Sequence, residues 1–240
     1  MQTFIDTATS NVWQFEDDVV VTDTAGVYSF KTAAGVALNS PATLQPYTIP
    51  APTPTQLAAT AAQAQTAAMQ AAYQSAINAP VSFKNAAGIT STYAFGNATA
   101  FGETKAQDLL MQIIGAGTAA WTAGVWFDTT GKMQAMTFAD LQGLAAAIEA
   151  METPDEQTLM AKIASIQAIQ NLPARVASTA YTASQQIVDT NGNVWTASAG
   201  TTGTTCTFPT SPAIGATKTD GSVTWTFAGS QVALIEGVTW

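Results

Sequence analysis

The sequence predicts a multidomain α+β protein in which small β units are joined by helices. Residues 1–45 contain short runs of β-branched and aromatic residues separated by turn-forming residues, which is the pattern of short strands. Residues 56–78 consist mostly of alanine and glutamine, which favour a helix. Residues 173–240 are rich in threonine, glycine and aromatic residues and contain Asn-Gly and Asp-Gly pairs, which indicate tight turns in an all-β module.

These changes in composition also predict the domain boundaries. Residues 1–45 form a small N-terminal β unit, which we expect to serve in attachment, and residues 46–80 form a proline-rich linker and the Ala/Gln-rich helix. Residues 81–172 form an α+β middle domain with short strands that ends in a helical hairpin, and residues 173–240 form the C-terminal β module.

Four short strands are expected in the N-terminal β unit, because each is a run of residues with high β propensity. They lie at residues 4–5, 12–15, 19–21 and 27–30. The acidic run of Glu16, Asp17 and Asp18 lies between the second and third strands. Such a run can form a metal or acid–base cluster, but a hairpin turn is the favoured interpretation here.

The linker and the helix that follows it are both marked by proline. Pro50, Pro52 and Pro54 favour an extended path for the linker, and Pro80 ends the helix. One apolar stripe is expected along the helix, made of Leu57, Ala61, Ala64, Ala68, Met69, Tyr73 and Ile77. Two arrangements remain open: the helix packs against its own domain, or it bundles with copies of itself.

The middle domain is expected to combine hairpins with helices. Strands are predicted on both sides of a turn at residues 85–88 and again on both sides of a turn at residues 128–131. A short helix is predicted over residues 104–114, because its leucines and isoleucines recur at helical spacing and glycines follow it.

Two helix-start signals predict the helical hairpin. Thr137 and Asp140 form a pattern close to a capping box, with aspartate where glutamate is usual. Thr153, Pro154 and Glu156 give a second start, because proline is favoured at the first helical position and the glutamate can reach back to the cap amide. Apolar stripes follow both signals, so we expect two helices that meet at a tight, capped junction.

The composition favours a particle surface, a fibre or an obligate oligomer. Charged residues make up 10% of the chain, against roughly 25% in ordinary soluble domains, and small polar residues replace them. The net charge is −9 and the seven basic residues are scattered. Nucleic-acid binding is therefore not expected, because it needs clustered lysine and arginine facing phosphates.

The absence of histidine limits the chemistry available to the chain. Ser-His-Asp and Cys-His mechanisms are excluded, and Cys206 is the only cysteine, so we expect neither a disulfide within the chain nor a metal site. A carboxylate pair, either Glu103 with Asp108 or Asp189 with Asp220, could in principle hydrolyse glycosides, but no motif singles out such a pair. The sequence predicts a protein that is not an enzyme and has no cofactor.

Membrane insertion is also not expected. The chain contains no run of about 18 apolar residues, and its first 21 residues lack a basic segment followed by an apolar one. We therefore expect it to be made and kept in the cytoplasm until assembly.

The C-terminal module contains the candidate ligand-binding residues. A sugar site needs a flat aromatic face with hydrogen-bonding groups beside it, and tyrosine and tryptophan suit such a surface. The candidates are the aromatic residues Trp195, Trp225, Tyr181 and Trp240 and the polar residues Asp189, Asn191, Asn193 and Asp220. The alternative, which is favoured for Trp195 and Trp225, is that these two form the core of a module too small to have another.

Much of the chain resembles a phage family. The aromatic strand at residues 121–127, the turn at 128–131, the segment MTFADLQGLAAAI and the ending IASIQAIQNL are similar to an uncharacterised family found in tail-fibre and tail-fibre-assembly-like proteins. The opening FIDTATSNVWQFEDD resembles the short N-terminal β unit of those proteins. This resemblance implies a phage origin and a tail setting.

A second resemblance covers residues 181–229. Tyr181, the Asn-Gly-Asn turn before Val194 and Trp195, and the segment TDGSVTW are similar to a small β module on phage tail and host-attachment proteins. Such modules resemble small chitin-binding domains, which implies contact with surface glycans.

Together these features predict a structural virion protein of a tailed bacteriophage, located on the tail. The expected role is a tail fibre or a tail-associated adhesin that binds the host surface multivalently. The expected partners are other virion proteins, copies of the chain itself as a trimer, and host cell-surface glycan. The alternative is a head-fibre, decoration or tail-connector protein without receptor contact, and a third possibility is a tail-fibre assembly chaperone.

Overall fold

The computed structural model describes residues 1–95, 106–122 and 124–240. The chain divides into two compact units, Met1–Thr53 and Pro54–Trp240. The predicted α+β class is confirmed, because the described residues form four α-helices and several small antiparallel sheets. The first residues of the helix predicted at 104–114 lie outside the described ranges, as do Glu103 and the start of the segment that carries the phage resemblance.

The first unit is made of five strands. Strands β1 and β2 pair in an antiparallel fashion, and β5 pairs with the other edge of β1. Strands β3 and β4 form a separate two-stranded hairpin. The five strands are β1 Gln2–Asp6, β2 Val12–Phe15, β3 Val20–Thr24, β4 Val27–Lys31 and β5 Leu44–Pro46.

Aromatic side chains form the core of the first unit. Phe15 and Phe30 stack with their ring centroids 4.1 Å apart, and Phe4 meets Phe30 edge-on at 4.8 Å. Leu44 is fully buried beside them. The residues Glu16–Asp18 lie in an exposed turn, as predicted, but β2 and β3 on either side of it do not pair, so the turn is not the tip of a hairpin.

Three helices of the second unit pack around one small core. The helix α1, Pro54–Ile77, lies against the C-terminal half of α3, Phe138–Gln170, and against α4, Gln231–Glu236. Met69 and the alanines Ala58, Ala61 and Ala62 of α1 pack on Ile166 and Ile235. The predicted stripe is partly wrong, because its members Leu57, Ala64 and Ala68 are exposed. The short alanine side chains allow α1 to approach α3 and α4 closely. Of the two arrangements that the sequence leaves open, the structure shows the Ala/Gln-rich helix packed against its own chain.

A second core in this unit lies between two hairpins and two helices. Leu110 from α2 packs against Trp126, Leu141 and Leu144, together with Tyr93. The hairpins and the helix that contribute to it are β6 Val81–Lys84 with β7 Thr90–Tyr93, β8 Val125–Phe127 with β9 Met133–Ala135, and α2 Ala106–Ala116.

Asp140 joins the first of these hairpins to the start of α3. Its carboxylate accepts hydrogen bonds from the backbone N–H and the hydroxyl of Thr137, at 2.8 and 2.7 Å, which confirms the predicted capping box. It also accepts one from the amide of Ala86 at 2.7 Å. Burial by itself raises the pKa of Asp140, but the hydrogen bonds from Thr137 and Ala86 outweigh burial and lower it.

The predicted helical hairpin is wrong: α3 is one continuous helix of 33 residues with Pro154 inside it. The helix-start signal at Thr153 depends only on neighbouring residues. Whether α3 continues through this point depends on how its two ends pack against other parts of the second unit. Leu144 and Ile148 are held in one core and Ile166 in another, and α3 runs without interruption between them. This packing outweighs the cost of an internal proline, which is about 3 kcal/mol.

The C-terminal part of the second unit is the predicted β module. Its main sheet is antiparallel with the strand order β11-β12-β15-β14, and β10 pairs with β13. The strands are β10 Ala180–Tyr181, β11 Gln186–Val188, β12 Asn193–Ala197, β13 Gly200–Thr201, β14 Thr217–Asp220 and β15 Val223–Ser230.

One turn design occurs four times among the described residues. In each case the carbonyl of the first residue accepts a hydrogen bond from the N–H of a glycine three residues later, at 2.8–3.1 Å. The side-chain oxygen of the first residue accepts one from the amide after the glycine. The glycine has a φ between +76° and +84°, which other residues rarely adopt. These turns occupy residues 32–35, 85–88, 128–131 and 189–192.

Replacing Pro154 with alanine is expected to stabilise the second unit by about 1–3 kcal/mol, because it introduces a helical N–H and a better helix former at an exposed position. Thr153→Ala is the matched test of the start signal. In a continuous helix it changes the free energy of unfolding by less than about 0.5 kcal/mol, whereas loss of a true N-cap costs about 1 kcal/mol.

Urea unfolding followed by circular dichroism measures both variants. Destabilisation by Pro154→Ala, together with a loss of about 1 kcal/mol in Thr153→Ala, would contradict the continuous helix and support two capped helices.

Candidate functional site

The two tryptophans of the C-terminal module lie in its core. Trp195 and Trp225 have no exposed surface. Trp195 packs against Phe208 and Phe227, with ring centroids 4.8 and 5.4 Å apart. The predicted sugar platform therefore does not include these two rings, and the alternative interpretation, that they form the core, is the one the structure adopts. A module of this size buries its largest side chains because it has few others.

Asp189 uses its carboxylate to close the turn that precedes Trp195. One oxygen accepts hydrogen bonds from the amides of Asn191 and Asn193, at 2.8 and 2.9 Å. The other accepts from the indole N–H of Trp195 at 2.9 Å. Asn193 is itself buried and donates to the carbonyl of Thr210 at 3.2 Å. Of these polar candidates only Asn191 is exposed.

Asp220 is buried and forms an ion pair with Arg175. The guanidinium donates to both carboxylate oxygens, at 2.5 and 2.8 Å, and also to the carbonyl of Gly203 at 2.6 Å. The indole N–H of Trp225 donates to Asp220 at 3.2 Å, and the amide of Gly203 does so at 2.8 Å. The Arg175 hydrogen bonds lower the pKa of Asp220, although burial opposes them, and the same bonds raise the pKa of Arg175.

Arg175 was not among the residues predicted from the sequence. It is the only arginine of the chain and lies 45 residues before its partner. Its position near the start of the module is a weak signal, because an isolated arginine is usually a solvated surface residue. Its partner could not be read from the pattern, since nothing in the sequence relates the two positions.

Tyr181 lies at the edge of the same core. Its ring meets that of Trp225 edge-on, with centroids 5.0 Å apart, and its hydroxyl accepts a hydrogen bond from the amide of Val176 at 2.9 Å. The side chain is half-buried. Its polar tip and apolar face are thus both used within the module.

Trp240 lies apart from the other candidates. It is 41% exposed, and its ring is 6.4 Å from that of Tyr73 on α1, with a tilt of 55°. Burial raises the pKa of Tyr73, and the nearby carboxylates of Glu156, Glu152 and Asp155 raise it further. Trp240 is therefore the most exposed of the four aromatic candidates, and the tyrosine beside it lies near acidic residues of α3.

Two grooves accompany the helices, and neither contains a predicted site residue. One of about 260 Å³ lies between α1 and α3 and is lined by alanine, threonine and glutamine. The other, about 460 Å³, lies between α2 and α3 and includes Met111, Ile114 and Glu149. Cys206 is half-buried, and burial raises the pKa of its thiol, as expected for a packing residue.

Across the described ranges, no three side chains of histidine, cysteine, aspartate or glutamate are grouped so as to hold a metal ion. Within the same part of the chain, no helix combines the length and apolar character needed to cross a membrane. Comparison with protein-family models, curated proteins and solved structures gives no match to this chain.

Asp220→Asn is expected to destabilise the second unit by about 2–4 kcal/mol at neutral pH, because it leaves the largely buried Arg175 without its counter-charge. The effect depends on pH. Since the folded-state pKa of Asp220 lies below its unfolded value of about 3.9, the wild-type advantage is complete above that value and is lost as the pH falls through the folded-state pKa.

Urea unfolding from neutral pH down to about pH 2 checks this prediction. The exposed Asp18→Asn is the control and is expected to stay within about 0.5 kcal/mol of the wild type. A neutral effect of Asp220→Asn at pH 7 would show that the ion pair does not support the module.

Proposed function

We propose that this chain is a structural virion protein of a tailed bacteriophage, a tail fibre or a tail-associated component. The observation that carries the proposal is the division into two units with separate cores, joined by a segment at residues 47–53 that has no regular structure and contains Pro50 and Pro52. A small unit with its own core suits attachment to a particle, and a larger unit on an extended joint suits display.

The hydrogen bonds that two aspartates make within the C-terminal module support a role other than catalysis. Asp189 and Asp220, one of the two carboxylate pairs considered for glycoside hydrolysis, each accept hydrogen bonds from an indole and from backbone amides. Carboxylates whose oxygens accept hydrogen bonds from indole and amide N–H groups of the chain itself act as structural acceptors, which supports a role other than proton transfer to a substrate. We therefore propose a non-enzymatic protein without a cofactor.

The surface of α1 supports association between copies. The helix has 24 residues and none of them is aspartate, glutamate, lysine or arginine. Its exposed positions are mainly alanine, glutamine and threonine, with Leu57 47% exposed. Surface helices of monomers usually carry charge on the solvent side. A homo-oligomer, most simply a trimer within a fibre, would cover this face alongside other virion proteins.

Mass spectrometry of gradient-purified particles of the phage that encodes the chain tests the proposal. We expect peptides of this protein in intact particles at a fixed ratio to the tail proteins, after synthesis in the host cytoplasm. Peptides in the lysate but none in the particles would contradict a virion role and favour an assembly chaperone. Peptides at a fixed ratio to head proteins, in particles stripped of tails, would instead favour the head-fibre alternative.

Host attachment is a second candidate function, and the exposed ring of Trp240 favours it. A tryptophan face beside Tyr73 and carboxylates offers the stacking surface and hydrogen-bond acceptors that sugars require. Each contact of this kind is weak, so attachment would depend on several copies acting together.

Binding of the fluorescently labelled full-length protein to host cells tests this role. Trp240→Ala is expected to reduce saturable binding at least about tenfold, because multivalency multiplies the loss at each site. Tyr181→Phe is the matched control, since its hydroxyl faces the chain and not solvent. Equal binding by Trp240→Ala and the wild type, or no binding by either, would contradict attachment through this ring. The structural role would then be the one candidate function that stands.

A further inference from the structure

The hydrophobic contacts of the second unit are divided along α3. Among the described residues, all members of the core around Leu110 and Trp126 lie between Val81 and Met151. The core around Met69 and Ile166 draws its members from α1, from α3 after Leu159, and from residues 232–238. No hydrophobic residue belongs to both cores. We call residues 81–151 the inserted lobe, and residues 54–77 with 155–240 the body.

The part of α3 between the two cores is weakly held. All of α3 is described, and none of its residues between Ile148 and Ile166 is buried. Pro154 lies in this stretch and has no N–H to donate to the carbonyl of the preceding turn. The hydroxyl of Thr158 donates to the carbonyl of Pro154 at 2.9 Å, a contact that tends to bend helices.

The inserted lobe has only one other covalent connection to the body. α1 ends at Ile77 and β6 begins at Val81, so residues 78–80, which include Pro80, form the second crossing. A lobe joined at two short proline-containing points, with its hydrophobic core confined to itself, can rotate with little loss of buried apolar surface.

The chain also passes from the inserted lobe to the body within α3, and the local sequence at this point favours a break between two helices. Thr153, Pro154 and Glu156 are suited to begin a helix, yet Thr153 lies exposed in the middle of α3. If α3 opened at this point, Thr153 could cap the second segment, and a cap of this kind would offset part of the free energy lost with the helical hydrogen bonds. The free-energy difference between the continuous and the opened helix is thereby reduced.

We propose that Thr153–Pro154 and Pro80 form a hinge, about which the inserted lobe moves as a rigid body relative to the rest of the second unit. The continuous helix is the ground state, and opening at Thr153 produces the two-helix arrangement that the local sequence specifies. The hinge goes beyond the proposed function and does not require that the protein be part of a virion.

Pulsed electron–electron spin resonance on the full-length chain tests the hinge. In a Cys206→Ser background, spin labels at Thr90→Cys in the lobe and Ala168→Cys in the body report the motion, since both positions are exposed. A control pair at Ala168→Cys and Thr224→Cys lies within the body. We expect the lobe–body distance distribution to be at least about twofold broader than the control distribution.

Pro154→Ala is expected to narrow the lobe–body distribution towards the control width and to leave the control pair unchanged, because it stabilises the continuous helix. A lobe–body distribution as narrow as the control in the native chain would overturn the proposal. A broad distribution that Pro154→Ala does not change would overturn it as well, since the motion would then lie elsewhere.

Hydrogen exchange of the unlabelled protein gives a second, independent measurement. The amides of residues 153–158 are expected to exchange at least about tenfold faster than those of residues 142–148, and Pro154→Ala is expected to remove most of the difference. Uniform protection along α3 in the native chain would contradict an opening at Thr153.

Discussion

Hydrogen bonds from backbone amides and indoles to a few aspartate carboxylates hold the small cores of this protein together. The strands are short and the loops many, so loop amides are withdrawn from water and need acceptors. Asp140 supplies one where a hairpin turn meets α3. Asp189 and Asp220 do the same in the C-terminal module, and each also receives the indole N–H of a core tryptophan. These carboxylates therefore support two cores of the second unit, the one around Leu110 and the one around Trp195 and Trp225.

These hydrogen bonds bear on function, because a polar side chain that is engaged within the module is not free to bind a substrate or a ligand. With Asp189, Asn193 and Asp220 committed inside the module, the exposed surface is left mainly to small uncharged residues, as on α1. A surface of this kind is poorly suited to catalysis and well suited to contact with other subunits, which is why we propose a structural role. The open ring of Trp240 is the exception, and it supports attachment as the second candidate.

Local sequence was sufficient to predict most of the strands, turns and helix starts, because residues close in the chain determine them. The strand β5 and the helix α4 were not predicted. The Asx-x-x-Gly turns and the capping box at Thr137 are examples. Features that depend on distant contacts were not predicted: the ion pair of Arg175 with Asp220, and the continuity of α3 through Pro154. The burial of Trp225 had a readable signal, since β15 alternates buried and exposed residues from Val223 onward.

Trp195 and Trp225 donate their indole N–H groups to the carboxylates of Asp189 and Asp220, and nuclear magnetic resonance tests these two hydrogen bonds most directly. Exchange of the six indole N–H protons with solvent is measured in the full-length protein after assignment by single Trp→Phe substitutions. The account predicts that Trp195 and Trp225 exchange at least about a hundredfold more slowly than Trp240, because their exchange requires opening of the core. Exchange of Trp195 and Trp225 as fast as that of Trp240 would contradict the account, since these rings would then face solvent and be available to a ligand.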